Sequence, residues 1–223
     1  MIKAIIFDFD GTILDTETAS YRAWMSLYER YGFTMGIEEW GKFIGTKNKE
    51  DNPYTFIKNN APDFLWSEEE TRFEVRKTVD SLMADKEILP GVKDLIAHAK
   101  KHNIKLGIAS SSARETVLEH LRRLNLQMDF DVISTSDDVR KVKPDPELYL
   151  RTIAALKMKK NEVIAIEDSP NGAWSAVRAG IRCVVVPNQM TKNLQFPEVD
   201  CILESLADFD TRLLSNKGPL SIE

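Results

Sequence analysis

Cysteine is nearly absent: Cys183 and Cys201 are the only two in 223 residues, and their spacing matches no zinc site. Two lone thiols exclude a disulfide framework and suit reduced, buried side chains in a cytoplasmic protein. Histidine is scarce as well, at three residues. No apolar run is long enough for a membrane span. The run near the N-terminus is too short for a signal peptide and passes straight into acids. Internal repeats and low-complexity segments are missing. The net charge of −5, with lysine and arginine scattered along the chain, leaves no basic footprint for nucleic acid. What is present is an ordinary globular composition, 43% hydrophobic and 29% charged, enough for one large domain or two unequal ones. A cytoplasmic monomer with no membrane or nucleic-acid partner is the expectation.

Four short apolar runs, at residues 4–7, 106–109, 163–166 and 183–186, each end in polar or small residues. Residues 132–133 and 201–203 are weaker candidates of the same kind. Continuous apolarity, rather than alternation, suits strands buried on both faces of a parallel sheet. Amphipathic stretches at 92–101, 113–124, 146–156 and 170–179 lie between them, and Gly180 follows the last as a helix-terminating glycine would. This alternation predicts an α/β fold with a Rossmann-like parallel sheet. Residues 16–86 break the rhythm and read as consecutive helices near 19–31, 37–43, 52–58 and 67–84, with Ser67 and Glu70 forming a capping-box pattern. The expected organisation is a core of residues 1–15 and 87–215, an inserted all-helical cap of 16–86, and a flexible tail of 216–223. An insertion leaving the C-terminal end of a strand sits over the edge where ligands of such folds bind.

Polar residues gather at the predicted strand ends. Asp8-Phe9-Asp10-Gly11-Thr12 follows the first strand, Ser110-Ser111-Ser112 the second, and Glu167-Asp168-Ser169-Pro170-Asn171 a later one, while Lys143-Pro144 precedes a helix. In a parallel sheet these ends share one edge, so the groups converge. Asp8 and Asp10, two residues apart, point to one face and repel each other. At ~4 Å such a pair costs roughly 1 kcal/mol in water and about 4 kcal/mol at an effective dielectric of 20. A hard divalent cation such as Mg²⁺ offsets that cost. Acids, a metal, hydroxyls with backbone N–H groups and a lysine make up the inventory for phosphoryl transfer. Each cluster also has a plainer reading: a polar strand end for Asp8 and Asp10, a helix cap for Ser110, a surface lysine for Lys143, and dipole-favoured acids for Glu167 and Asp168.

The four clusters, in this order, resemble the four motifs of the haloacid dehalogenase superfamily, and most closely its β-phosphoglucomutase and phosphoglycolate phosphatase group. The resemblance spans nearly the whole chain and implies a Rossmann-like core with a helical-bundle cap. It implies Asp8 as the nucleophile that takes the phosphoryl group, and Asp10 as general acid and then base, its backbone carbonyl on Mg²⁺. Asp168 becomes a direct metal ligand and Glu167 a ligand or its neighbour, joining Asp8 and Asp10 in the metal set. Ser110, the Ser111 N–H and Gly11 would surround the phosphoryl group, and Lys143 would balance charge. Arg114, Asn171 and Lys47 are further candidate substrate contacts. An acid at position 10 favours phosphate esters, because the dehalogenase branch lacks one.

The cap separates two reactions within that group. Its mutases carry a histidine twelve residues after the nucleophile, where this chain has Ser20, and an arginine in a cap loop that here reads Gly45-Thr46-Lys47-Asn48-Lys49. A lysine cannot reproduce a bidentate guanidinium grip. His98, His102 and His120 fall in predicted core helices and read as surface residues. A Mg²⁺-dependent phosphatase acting on a small phosphorylated metabolite is therefore expected, with a β-phosphoglucomutase-like sugar-phosphate mutase as the alternative. The two crossings into the cap, near 14–18 and 86–90, are the natural hinges.

Overall fold

A computed structural model of the protein describes residues 1–45, 50 and 52–215, so Lys47 and the 216–223 tail lie outside the described residues. The strands are β1 (Ala4–Phe7), β2 (Lys105–Ala109), β3 (Val132–Ser134), β4 (Val163–Glu167), β5 (Arg182–Val185) and β6 (Cys201–Ile202). They form one parallel sheet in the order β3-β2-β1-β4-β5-β6. This is the Rossmann-like α/β arrangement that the apolar runs predict. The central strand β1 sets Phe7 beside both Ile108 and Ile166. The chain therefore leaves all three strands at the same level of one edge.

Between β1 and β2 come α1 (Thr16–Glu29), α2 (Ile37–Trp40), α3 (Pro53–Asn60) and α4 (Glu68–Met83). They close on an apolar cluster that includes Trp24, Tyr28, Trp40, Ile57 and Phe64, joined by Met190 from the loop after β5. Helix α1 begins three residues before the apolar pattern suggests, because the Asp15 carboxylate accepts the Thr18 N–H at 3.1 Å and caps its first turn. The capping box expected at Ser67 and Glu70 opens α4. This helical insertion, the cap, joins the sheet through two paired crossings: the Leu89 N–H donates to the Ile13 carbonyl at 3.0 Å, and Lys86 meets Asp15 at 3.1 Å.

Helices α5 (Val92–Lys101), α6 (Arg114–Arg123), α7 (Glu147–Leu156) and α8 (Pro170–Ala179) cover the sheet. Successive residues of β1 serve opposite layers. Ile5 and Phe7 pack in one cluster with Leu95 and Val117, and Ala4 and Ile6 in another with Tyr149 and Ala176. Burial on both faces is the reason these strands are continuously apolar. Among the described residues, no helix is long and apolar enough to cross a membrane.

Candidate active site

Asp8 leaves β1 where Ser110 leaves β2 and Glu167-Asp168 leave β4. Oxygens of Asp8, Glu167 and Asp168 lie within 4.8 Å of one another, and all three residues are buried. Two glycines make room for this. A Cβ on Gly11, whose φ is +83°, would stand 2.1 Å from Asp168 Oδ2, and one on Gly172 would stand 1.8 Å from Glu167 Oε2. The Gly11 position also demands the left-handed backbone that glycine adopts at no steric cost.

Lys143 is 1% exposed, and its ammonium donates to Asp8 Oδ1 at 2.5 Å and to Glu167 Oε1 at 2.6 Å. The Tyr149 hydroxyl donates to the same Glu167 oxygen at 2.6 Å, and Lys143 Nζ lies 5.2 Å from the Tyr149 ring centre. Asp10 is turned toward hydroxyls. Its Oδ1 accepts from Thr16 at 2.8 Å, and its Oδ2 from Ser110 at 3.1 Å and Ser112 at 2.7 Å. Asn188, in the loop after β5, donates to Asp168 Oδ2 at 2.7 Å.

The charges do not balance. Among the described residues only Lys143 ion-pairs with the buried acids. Burial pushes the Asp8 carboxyl up; Lys143 pulls it down, while Glu167 and Asp10 add to the rise. Asp168 is driven well above the usual carboxylate range by burial, then by Asp8 and Glu167. For Lys143, burial works against the charge, but Asp8 and Glu167 outweigh it and hold the ammonium above its ordinary range. Buried, converging, oxygen-only donors with excess negative charge fit a hard divalent cation, and Mg²⁺ tolerates a site with so few protein ligands. Asp8, Glu167 and Asp168 are the side chains that could hold it.

Four residues outside the motif clusters also belong to the site. Thr16, Tyr149 and Asn188 reach the acids from α1, α7 and the β5 loop. Glu17, in the first turn of α1, is a fourth. It is half-buried, and burial together with Asp10, Asp8 and Asp15 lifts its carboxyl well above the usual range. Asn188 stands just past an apolar run, so the strand-end rule that selects the other clusters reaches it too. Tyr149 carried no such signal, since an aromatic on a helix's apolar face reads as core.

Other candidates sit differently from the expectation. The Arg114 guanidinium is committed to Asp138 at 2.5 Å and to the Ile133 carbonyl at 2.9 Å, bracing α6 against β3 rather than joining the acids. Asn171 donates to the Ile44 carbonyl at 2.8 Å, and the Ser111 hydroxyl to the Gly45 carbonyl at 2.9 Å. Both side chains thus hold the cap loop against the core. His120 is not a plain surface residue: its ring stacks on Phe9, with centroids 6.0 Å apart.

The sequence profile of the haloacid dehalogenase-like hydrolases matches residues 5–186. The protein YhcW of Bacillus subtilis is 42% identical, over 96% of each chain. The phosphorylated carbohydrates phosphatase of Thermotoga maritima is 33% identical, over 81% of this chain and 82% of its own. Among solved structures, that of CbbY from Rhodobacter sphaeroides in complex with phosphate superposes with a TM-score of 0.79 at 30% identity. It covers 93% of this chain and 96% of that one. The chain belongs to the haloacid dehalogenase-like hydrolases, in the group that contains phosphatases and β-phosphoglucomutase.

Proposed function

We propose that this family phosphomonoesterase hydrolyses a small phosphorylated sugar, using Mg²⁺ and a phosphoryl intermediate on Asp8. The observation that carries the reading is the pairing of a buried Asp8, gripped on one oxygen by Lys143, with an Asp10 held apart by three hydroxyls. The second oxygen of Asp8 attacks phosphorus while the bond to the leaving oxygen breaks, and Asp10 delivers a proton to that oxygen. Water then attacks the phosphoryl group as Asp10 removes its proton, and the bond to Asp8 breaks to release phosphate. The Ser111 N–H, which has no hydrogen-bond partner among the described residues, suits a phosphoryl oxygen. Bound between Asp8, Asp168 and Glu167, Mg²⁺ would neutralise charge on the transferring group. Lys143 keeps Asp8 oriented and charge-balanced throughout.

A sugar is favoured as the leaving group by Glu17, a polar residue of the first cap turn whose carboxyl feels the charges of Asp10 and Asp8 and is suited to a hydroxyl. The relative from Thermotoga maritima is named for phosphorylated carbohydrates, which agrees with this. Hydrolysis is favoured over phosphoryl migration because residues 16–86 include no histidine. The test is release of phosphate from a panel of sugar phosphates and p-nitrophenyl phosphate. Hydrolysis must vanish in Asp8→Asn and with excess chelator; a rate unchanged in either refutes the reading. Net conversion of β-glucose 1-phosphate to its isomer without phosphate release would decide for a mutase.

A further inference from the structure

A cavity of 520 Å³ opens beside the crossings between cap and core, and it meets the acid site at Gly11 and Asn188 without including Asp8, Asp10, Lys143, Glu167 or Asp168. Its volume falls within the range of small-molecule sites, and junctions between structural units are favoured places for them. Thr18 and Arg22 enter it from α1, one turn apart on a helix face that Glu17 does not share. Lys192 enters from the loop after β5, and Lys86 from the second crossing.

The charge of this cavity differs from that of the chain. It is lined by Arg22, Lys86 and Lys192 against Asp15 and Glu204, in a protein of net charge −5. Lys86 and Asp15 satisfy each other at 3.1 Å. Arg22 and Lys192 are exposed, and among the described residues neither side chain makes an ion pair or hydrogen bond. A second observation is independent of these charges. Thr12, also in the lining, is 4% exposed, and its buried hydroxyl has no hydrogen-bond partner among the described residues. Two cationic side chains without partners in one cavity wall, with an orphaned hydroxyl in the same wall, mark a place where a small anion would gain contacts the protein does not supply.

We propose that this cavity is a second binding site, for a small organic dianion that bridges Arg22 of the cap and Lys192 of the core. Arginine suits the planar fork of a carboxylate or the face of a phosphate, and the lysine adds a point charge. Such an occupant favours the cap position in which both cations reach it, so it couples to cap motion by linkage. It also adjoins Asn188, which lines the cavity and holds Asp168.

The test is a titration of the Mg²⁺-loaded protein with succinate and, separately, with methylphosphonate, neither of which carries a transferable phosphoryl group. Backbone amide shifts of Gly11, Arg22, Gln189, Lys192 and Ser205 are followed by NMR. Saturable shifts centred on these residues are expected with at least one probe, and the probe that binds tells carboxylate from phosphate chemistry. Arg22→Gln and Lys192→Gln should each weaken binding roughly tenfold. Both variants should turn over p-nitrophenyl phosphate at the wild-type rate without probe. Three results would each overturn the proposal. They are absence of saturable shifts with either probe, shifts that persist unchanged in the double variant, and loss of basal hydrolysis in the single variants.

Discussion

The Thr16 hydroxyl donates to Asp10 Oδ1 across 2.8 Å, so the first residue of the first cap helix holds the carboxylate proposed to move the proton. Thr16→Val keeps the side chain's shape and removes that donor. Orientation errors of this kind are costly to catalysis, on the order of tenfold to a hundredfold in rate. We expect kcat for p-nitrophenyl phosphate to fall by about that factor while the circular dichroism spectrum stays native. A wild-type kcat would show that Ser110 and Ser112 alone position Asp10.

Lys143 is the ammonium that pairs with both Asp8 and Glu167. Replacing it with methionine leaves two buried carboxylates uncompensated, a change worth about 3–5 kcal/mol of stability. Urea denaturation of Lys143→Met should report that loss, and hydrolysis should disappear. Adding Glu167→Gln should return part of the stability without returning activity.

Mg²⁺ should stabilise the fold in a pH-dependent way. Burial and mutual repulsion raise Asp8 and Asp168 above their ordinary range. Above about pH 4, where unfolded carboxyls have lost their protons, the metal-free native state still holds protons there. The stability contribution of these two groups therefore falls as pH rises toward their raised values. A cation that competes with those protons gains affinity over the same interval. Thermal melts should show a larger Mg²⁺-induced rise in Tm near pH ~8 than near pH ~5.5. An equal rise at both, or a full rise in an Asp8→Asn, Asp168→Asn double variant, contradicts this.

Asn171 and Ser111 tie the Ile44 and Gly45 carbonyls of the cap to two core loops. Each hydrogen bond contributes about 1 kcal/mol. Asn171→Ala should speed amide hydrogen exchange across residues 41–45 roughly fivefold, with the core strands unaffected. Unchanged exchange in that segment would mean that other contacts hold it.

Much of this fold is written locally. Apolar runs mark the strands because both sheet faces are covered, and the helix starts follow from side chains one turn away, as at Ser67 and Glu70. Three of the four motif clusters were readable for the same reason, since a polar group directly after a buried strand has one place to go; Lys143-Pro144 stands before a helix instead.

Partnerships across the chain were not readable in this way. Tyr149 looks like one more apolar-face aromatic until the fold brings its hydroxyl to Glu167, and Arg114 looks free to reach a phosphate until Asp138 claims it. Ser111 and Asn171 belong to motif loops, yet their side chains meet a segment 66 and 127 residues away. The sequence by itself determined the layers, the order of the acids and their common edge, because those depend on periodicities of two and 3.6 residues. Only the tertiary structure decided which donor each acid receives, since a hydrogen bond depends on distance in space, and separation along the chain does not encode it.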